Sequence, residues 1–394
     1  MKNPASTASR SSHSAQSGLL SRNHRSMHTL QVALEDPTSS INGVTSKIGC
    51  ADEPSRHLTC VAMNSSNLHS PSPTKPPVVV ITGASAGLGR AIANEFARRG
   101  AKIGLIARDE NALQDAQREV ESYGGQAIVL PLDVSNEEAL EAAATRVENE
   151  LGPIDIWVNN AMLSVFSPIK ETEAREFRRV TEVNYLGYVN GTLAALRRML
   201  PRDSGRIVQI GSALAVRSIP LQAAYCATKH AIVGFTDSLR CELYHDRSRV
   251  KVTVVHMPAM NTPQFTWVKS RLPNLPQPVP PIFEPEVGAR VVVHAALTRS
   301  PRREYWVGAS TVQAIVAQKF IPGLLDRYLG KTGYKSQQRQ MQDPPDRPNN
   351  LWQPVPTSLG AHGPFDEKSH HSSVQVKLNL HRRWIALGCA AIAP

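Results

Sequence analysis

From Val78 onward, short runs of β-branched and other apolar residues alternate with longer amphipathic segments. We predict strands at Val78–Thr82, Lys102–Ala107, Ala127–Pro131, Ile154–Asn159, Gly205–Ile210, Lys251–His256 and about Glu304–Val307. Amphipathic helices occupy the segments between them. Regular alternation of strand and helix is typical of βαβ units, in which helical crossovers connect parallel strands. The pattern therefore predicts an α/β fold with a doubly wound parallel sheet of about seven strands.

Local signals mark the ends of several predicted helices. Ser135 and Glu138 form a Ser-x-x-Glu pattern after the third strand, in which hydroxyl and carboxylate satisfy each other's free backbone N–H groups. We expect the next helix to begin there. Later helices are predicted at Pro285–Leu297 and Thr311–Leu329, the second interrupted at Pro322-Gly323.

The two ends of the chain lack this periodicity. Residues 1–76 are rich in Ser, Asn, His and Pro, and residues 331–394 are polar and proline-rich before the apolar stretch Trp384–Pro394. Such composition is typical of chain that buries too little apolar surface to fold alone. We therefore predict a disordered extension over 1–76, a Rossmann-type domain over 77–330 and a mostly unstructured tail over 331–394.

Composition and charge narrow the classes of function. The 394 residues are 41% hydrophobic and 20% charged, as in ordinary globular proteins. The net charge of +11 is spread along the chain with no run of five Lys or Arg, so no nucleic-acid partner is predicted. The five cysteines are widely spaced, with no Cys-x-x-Cys pair and no histidine at ligand spacing, which indicates a reducing compartment and no metal site.

Three locations remain open, of which the cytoplasm is favoured. No stretch approaches the roughly 20 apolar residues that span a bilayer. The first 34 residues have basic and serine residues but no acidic one, which faintly resembles a transit peptide. A peripheral membrane contact through Trp384–Pro394 or the Thr311–Leu329 helix is the other alternative.

A glycine-rich turn, Thr82-Gly83-Ala84-Ser85-Ala86-Gly87-Leu88-Gly89, follows the first strand and precedes a helical pattern. Glycine allows positive φ and close backbone approach, and a helix N-terminus presents free N–H groups and partial positive charge to a pyrophosphate. The turn therefore predicts a dinucleotide site. Its candidate cofactor-binding residues are Gly83, Ser85, Gly87, Leu88 and Gly89.

The residues at the ends of the next two strands are expected to lie near the adenosine half of that site. Arg108 follows Ala107, where a carboxylate would favour the ribose 2′-hydroxyl of NAD. A guanidinium suits a 2′-phosphate instead, so we predict NADP(H), with NAD(H) less favoured. A solvated arginine facing Asp109 is the alternative. Asp133 and Val134 end the third strand, where the Asp133 carboxylate is predicted either to accept from the adenine amino group or to cap the next helix.

Candidate catalytic residues follow the fifth strand. Ser212 precedes Tyr225 by thirteen positions, and Lys229 lies four residues beyond Tyr225 on the same face of a helix. A phenol has a pKa of about 10 and is a poor proton shuttle near neutrality. We expect the Lys229 ammonium to stabilise the phenolate and lower the pKa of Tyr225.

Together, these residues resemble the short-chain dehydrogenase/reductase superfamily in its single-domain form, over about residues 77–307. The resemblance implies an oxidoreductase that moves a hydride between NADP(H) and a carbonyl or secondary alcohol. It further implies that Ser212 hydrogen-bonds the substrate oxygen, that Tyr225 is the general acid/base and that Lys229 binds the nicotinamide ribose.

The resemblance also assigns residues around the nicotinamide. It implies that Asn160 and Ala161 lie beside the cofactor, that Asn184 holds a water in a proton relay, that Pro258 flanks the nicotinamide and that Thr262 reaches its carboxamide or the pyrophosphate. Three residues depart from the family's usual pattern: Met162, Gly211 and Ala259. Family members commonly pair through their long helices, which suggests a homo-oligomer.

The substrate is expected to be a small, apolar molecule. The proline-rich stretch Leu272–Pro285 is predicted as a loop over the cleft, and nearby apolar residues favour such a ligand: Phe265, Trp267, Leu272, Leu275 and Phe283. A non-catalytic dinucleotide sensor or scaffold is the alternative function. It would require Met162 or the tail to block the cleft.

Overall fold

The computed structural model describes residues 75–381, so the predictions for the N-terminal extension up to residue 74 and for Trp384–Pro394 lie outside the described residues. The strands are β1 (Val78–Thr82), β2 (Lys102–Ala107), β3 (Gln126–Pro131), β4 (Ile156–Asn159), β5 (Val165–Phe166), β6 (Arg206–Ser212), β7 (Lys251–Met257), β8 (Lys269–Ser270), β9 (Asn274–Pro276), β10 (Ile282–Phe283), β11 (Glu304–Trp306), β12 (Gln338–Gln342) and β13 (Ser369–His370). The α-helices are α1 (Gly87–Ala97), α2 (Glu110–Ser122), α3 (Glu137–Leu151), α4 (Ala174–Thr181), α5 (Gly187–Met199), α6 (Ala223–His245), α7 (Gln264–Trp267), α8 (Pro285–Leu297), α9 (Ala309–Phe320) and α10 (Pro322–Ser336).

Seven parallel strands form the central sheet of residues 75–381, in the order β11-β7-β6-β4-β1-β2-β3. This confirms the predicted doubly wound, Rossmann-type α/β fold. The chain runs outward from β1 to β3, then returns to β4 and runs outward in the opposite direction. In such sheets the carboxyl ends of the strands at this switch point are the usual place for a ligand.

Helices cover both faces of the sheet because successive residues of a strand face opposite sides. In β1, Val79 and Ile81 pack into a core with α1, α2 and α8. Val78 and Val80 pack into the second core with α3, α5 and α6. The continuous apolar run of β1 therefore supports two hydrophobic layers and fixes the strand in the middle of the sheet.

The start of α3 differs from the predicted Ser-x-x-Glu cap. The helix begins at Glu137, and the side chain of Asn136 caps it by accepting from Ala139 N at 2.9 Å. The Ser135 hydroxyl donates instead to Asp133 at 2.7 Å. The capping prediction was wrong because the carboxylate two residues earlier binds this hydroxyl.

The tail predicted to be mostly unstructured from residue 331 contains ordered elements up to residue 381. Helix α10 continues to Ser336, β12 pairs with β9 in antiparallel fashion and β13 pairs with β10. Leu351, Phe365 and Val376 are buried at 0%, 4% and 5% exposure. Isolated apolar side chains and long-range hydrogen bonds attach the tail to the domain. Such contacts do not require a regular apolar period, so the sequence did not indicate them.

Residues 75–381 contain neither a membrane-spanning helix nor a cluster of metal ligands. No helix in this range is long and apolar enough to cross a membrane. Within the same range, no group of three or more His, Cys, Asp or Glu residues has the geometry to hold a metal ion.

Candidate active site

A cavity of about 480 Å³ lies at the carboxyl ends of the central strands. It brings together most of the residues singled out from the sequence: Gly83, Ser85, Gly87, Leu88, Arg108, Asp133, Val134, Asn160, Ala161, Ser212, Tyr225, Lys229, Pro258 and Thr262. Gly89 and Asn184 are not among its lining residues. The cavity volume falls in the range of small-molecule and cofactor sites.

The glycine turn has the backbone that a close ligand approach requires. Gly83 and Gly87 have φ of 69° and 58°, a region that residues with a side chain rarely adopt. A Cβ at Gly89 would lie 2.0 Å from the Gly83 carbonyl oxygen, so a glycine there lets α1 close against the turn. These residues fit a dinucleotide whose pyrophosphate lies against the turn.

The ends of β1 and β4 are joined behind this turn. The Asn160 side-chain amide donates to the carbonyl oxygens of Thr82 and Gly83 at 3.0 and 3.2 Å. The Thr82 hydroxyl accepts from the backbone N–H groups of Asn160 and Ala161 at 2.9 and 3.1 Å. Asn160 therefore positions the turn by contacts with protein groups.

Ser212 and Tyr225 meet at the other end of the cavity. Ser212 ends β6, and Tyr225 lies in the first turn of α6. Desolvation by the surrounding protein raises the pKa of Tyr225 to about 12, although a hydrogen bond with the Ser212 side chain opposes the shift. The phenol is therefore protonated near neutral pH.

Lys229 lies beneath this pair with 1% of its surface exposed. Its Nζ donates to the Ile210 carbonyl oxygen at 2.7 Å and to the Tyr188 hydroxyl at 3.0 Å, and lies 5.6 Å from the centre of the Tyr225 ring. Burial lowers the pKa of Lys229 to about 7. The pKa of Tyr225 was expected to be lowered; it is raised instead, because burial disfavours the charged phenolate more than its neighbours stabilise it.

Asn184 supports the cavity from behind its wall. It belongs to a π-helical turn, Glu182–Leu186, between α4 and α5, a distortion that is frequent at functional sites. Its side chain accepts from Leu163 N at 2.7 Å and donates to Leu163 O at 2.8 Å and to the Thr228 hydroxyl at 3.3 Å. Asn184 thus fixes the loop that carries Met162, which lines the cavity.

At the end of the cavity predicted to hold the adenosine, which we call the adenosine end, Arg108 contacts the chain's own tail. Its guanidinium donates to the carbonyl oxygens of Asn350 and Trp352 at 2.5 and 3.0 Å. Burial lowers the pKa of Arg108, and the nearby Asp133 carboxylate opposes that shift. Arg108 is therefore bound to backbone carbonyls of the tail, and it is not the solvated arginine facing Asp109 that was the alternative.

The Asp133 carboxylate is also engaged by protein groups. It accepts from the backbone N–H and hydroxyl of Ser135 and forms an ion pair with Arg179. Arg179 in turn donates from Nε to the Leu351 carbonyl oxygen at 3.2 Å. Asp133 therefore organises this end of the cavity together with Arg179.

Residues 349–366, which we call the C-terminal segment, cross the glycine turn. The Gly87 N–H donates to the Gly360 carbonyl oxygen at 2.9 Å. Asn350, Pro354, Val355 and Thr357 line the cavity. The sequence analysis missed these residues, because no period or motif in this stretch indicates where it attaches.

The part of the cavity predicted to hold the substrate has a largely apolar wall. Phe265 and Trp267 line it as predicted, together with Met162, Val279 and Leu329. Leu272 and Phe283 are instead buried in the protein interior, and Leu275 lies in β9 outside the cavity lining. Helix α10 contributes a part of the wall that the sequence analysis did not assign.

Comparison with known proteins identifies similar chains. Residues 77–271 match the family model described as short chain dehydrogenase. The uncharacterized oxidoreductase YxnA of Bacillus subtilis (strain 168) is 32% identical over 280 residues, which are 71% of this chain and 78% of that protein. A fatty acyl-CoA reductase of Acinetobacter baylyi is 30% identical over 230 residues, which are 58% of this chain and 75% of that protein.

A solved structure has the same fold. A metagenomic short-chain oxidoreductase in complex with NADP is 30% identical and has a TM-score of 0.50. The match covers 59% of this chain and 96% of that chain.

Proposed function

The chain belongs to the short-chain dehydrogenase/reductase superfamily, and on that basis we propose that it is an NADP(H)-dependent oxidoreductase. It transfers a hydride between the nicotinamide and a carbonyl or secondary alcohol of a small, apolar substrate. Members of this family are oxidoreductases that bind a nicotinamide dinucleotide. The cofactor preference, the substrate class and the roles of individual residues are our proposals.

The convergence of Ser212, Tyr225 and Lys229 on the cavity that contains the glycine turn carries this proposal. The sequence separates Tyr225 from the glycine turn by more than 130 residues, yet both face the same space. A bound dinucleotide that lies along this cavity would present its nicotinamide near Tyr225. The arrangement supports hydride transfer with proton transfer from a side chain.

A bound nicotinamide would supply the hydride to the carbonyl carbon or accept one from an alcohol. In the reduction, the Ser212 hydroxyl and the Tyr225 phenol donate hydrogen bonds to the substrate oxygen as negative charge develops there. The Tyr225 O–H bond then breaks, and its proton completes the alcohol. Because the pKa of Tyr225 is raised to about 12, the phenol carries the proton that this direction needs.

NADP(H) preference is proposed from Arg108. A guanidinium has five N–H donors, of which the two contacts to Asn350 and Trp352 use two. The remaining donors suit a 2′-phosphate, which accepts paired, charge-assisted hydrogen bonds. The NADP complex of the similar metagenomic oxidoreductase is in line with this preference.

An apolar substrate is proposed from the wall formed by Met162, Phe265, Trp267, Val279 and Leu329. Burial of aliphatic or aromatic groups against such a wall is favourable by about 25 cal/mol per Å². The name of the similar fatty acyl-CoA reductase is compatible with a substrate of this kind.

Homo-oligomer formation is part of the proposal. Helix α5 and the residues on either side of it expose Leu186, Leu193 and Leu200 at 44%, 38% and 42%. Such apolar residues on a long helix suit a contact with a second copy of the chain. Light scattering of the purified protein would test this, with a monomeric mass at micromolar concentration as the contrary result.

The test of the main proposal is a panel of carbonyl and alcohol compounds of increasing apolar size, followed by nicotinamide absorbance. Each compound is run with NADP(H) and with NAD(H). Turnover that depends on NADP(H) supports the proposal. Dinucleotide binding without turnover on any compound would favour a non-catalytic sensor or scaffold, the other function considered for this chain.

A further inference from the structure

We propose that the C-terminal segment, residues 349–366, is a built-in cover of the dinucleotide site. It forms a wall over the adenosine half of the cavity and opens to let the dinucleotide enter and leave. The inference rests on the proposed dinucleotide binding, but it does not depend on turnover.

The first anchor of the cover is a row of three backbone carbonyls. Two of them, at Asn350 and Trp352, accept from Arg108, and the third, at Leu351, accepts from Arg179. The Leu351 side chain is fully buried in the same core as Val134 and Leu140. Two guanidinium groups and one apolar side chain thus attach the start of the segment to the adenosine end.

The second anchor is centred on Asn261, whose side chain is fully buried. Its Oδ1 accepts from Phe365 N at 3.1 Å, its Nδ2 donates to Asp366 at 2.6 Å, and its backbone oxygen accepts from Gly363 N at 3.3 Å. The Phe365 ring meets Phe265 edge-on, with ring centroids 5.6 Å apart. Phe265 lines the cavity, so this anchor links the cover to the substrate half.

The chain between these anchors crosses the site without helix or strand. Pro354 and Pro356 restrict its backbone, since proline fixes φ. Pro354, Val355 and Thr357 face the cavity, while the Gly360 carbonyl oxygen accepts from Gly87 in the glycine turn. The segment therefore lies over part of the cavity as a wall, and a cavity of about 480 Å³ remains beneath it.

This arrangement couples the cover to the ligand. Arg108 anchors the segment and is also the residue expected to contact the 2′-phosphate, and the Gly87 N–H that binds the segment lies in the turn expected to face the pyrophosphate. Because one residue serves both the wall and the ligand, departure of the dinucleotide requires the segment to lift. Dissociation should consequently be slow and limited by opening of the cover, as for other lids that gate a site.

The proposal is tested by adding a side chain at Gly363, next to the second anchor. A Cβ at Gly363 would lie 2.3 Å from the Thr262 carbonyl oxygen, so Gly363→Ala requires the segment and the Thr262 backbone to move apart. Gly330→Ala is the matched control, since a Cβ at Gly330 in α10 has nothing within 4 Å. The full chain is loaded with NADPH, and its release is followed by stopped-flow fluorescence after excess competitor is added.

We expect NADPH to leave Gly363→Ala at least about tenfold faster than the wild type, and Gly330→Ala to match the wild type within about twofold. Asp366→Ala removes one contact of the same anchor from an exposed position and should accelerate release to a smaller extent. It serves as the second variant if Gly363→Ala does not fold. In hydrogen exchange, backbone amides of residues 351–365 should become better protected when NADPH binds.

Each outcome decides the matter. Equal dissociation from the wild type and both anchor variants overturns the cover, and so does tighter binding by Gly363→Ala, which would show the segment to be a competitor. Slow release from a wild type that reduces no compound supports the cover and overturns the proposed catalysis. If the wild type binds neither NADPH nor NADH, both proposals fail.

Discussion

The two ends of the cavity are built in different ways. At the proposed catalytic end, Ser212, Tyr225 and Lys229 are carried by a central strand and the long helix α6. At the adenosine end, Arg108 and Gly87 donate to a segment more than 240 residues away in the chain. Regular elements position the groups proposed to react, whereas an irregular segment completes the proposed binding site.

The difference shows which part of such a site tolerates change. A group that transfers a proton needs a fixed position, which a helix within the core provides. A wall that admits a large ligand must move, and backbone without helix or strand opens at lower cost. Substitutions at the catalytic end should therefore change turnover, and those at the adenosine end should change binding.

The largest expected effect is on turnover at the catalytic end. Tyr225→Phe removes the proton that Tyr225 donates, so kcat should fall by about 10³-fold, while the dissociation constant of NADPH changes little. Steady-state kinetics and fluorescence titration would measure the two quantities. Tyr244→Phe, at an exposed position near the end of the same helix, is the control. Retained turnover in Tyr225→Phe would assign the proton to another donor.

The next effect separates the two dinucleotides at the adenosine end. Arg108→Asp should weaken NADPH binding by about 10- to 100-fold, since charge-assisted hydrogen bonds to a phosphate are lost. NADH should lose much less. Calorimetric titration of both dinucleotides gives the ratio, with Arg175→Asp at an exposed site as control. An equal loss for both would mean that Arg108 acts through the C-terminal segment and not through a phosphate.

A third prediction concerns how the free energy of unfolding depends on pH because Lys229 is buried. The pKa of Lys229 is about 7 in the folded chain, against an ordinary value of 10.5. Between pH 7 and 10.5, Lys229 carries a proton in the unfolded chain but not in the folded chain. The free energy of unfolding of the wild type therefore rises with pH in this range. Lys229→Met has no amine at this position and lacks this pH dependence.

Urea unfolding of both proteins at pH 7.5 and about pH 9.5 tests it. The free energy of unfolding of the wild type should gain about 2 kcal/mol relative to Lys229→Met over this interval. Lys319→Met changes an exposed residue and is the control. A difference that stays constant with pH would show that Lys229 remains charged in the folded protein.

The smallest effect distinguishes the observed helix cap at the adenosine end from the predicted one. Asn136→Ala should lower the free energy of unfolding by about 1 kcal/mol, because it removes the side-chain cap of α3. Glu138→Ala should cost less than half of that, although the Ser-x-x-Glu pattern gives Glu138 the larger role. A larger loss in Glu138→Ala than in Asn136→Ala, measured by thermal or urea unfolding, would support the predicted Ser-x-x-Glu cap instead.

The sequence predicts the central fold well because its signals are local. Strands β1 and β2 begin and end at the predicted residues, since apolar runs and flanking glycines mark them. Tyr225 and Lys229 are likewise predictable, because four residues in a helix place two side chains on one face. The reversed pKa shift of Tyr225 was not predictable, since it depends on burial by elements distant in the chain.

The sequence does not predict the C-terminal segment, because this segment is attached to the domain by contacts between residues far apart in the chain. Leu351 and Phe365 are single apolar residues in a polar stretch, and no periodicity distinguishes them from exposed ones. Their partners, among them Arg179 and Asn261, are about 170 and 100 residues away. Hydrogen bonds between side chains and backbone groups leave no pattern along the chain, so the structure was needed to place the C-terminal segment.

The position of this segment also has a consequence for biosynthesis. Domains generally fold as units while the chain is being made, from the N-terminal side onward. The strands of the central sheet and the helices that carry the glycine turn and Tyr225 all precede residue 349, so the ribosome makes them before the segment that crosses them. The residues that form the cleft are therefore synthesised before the residues that form its wall.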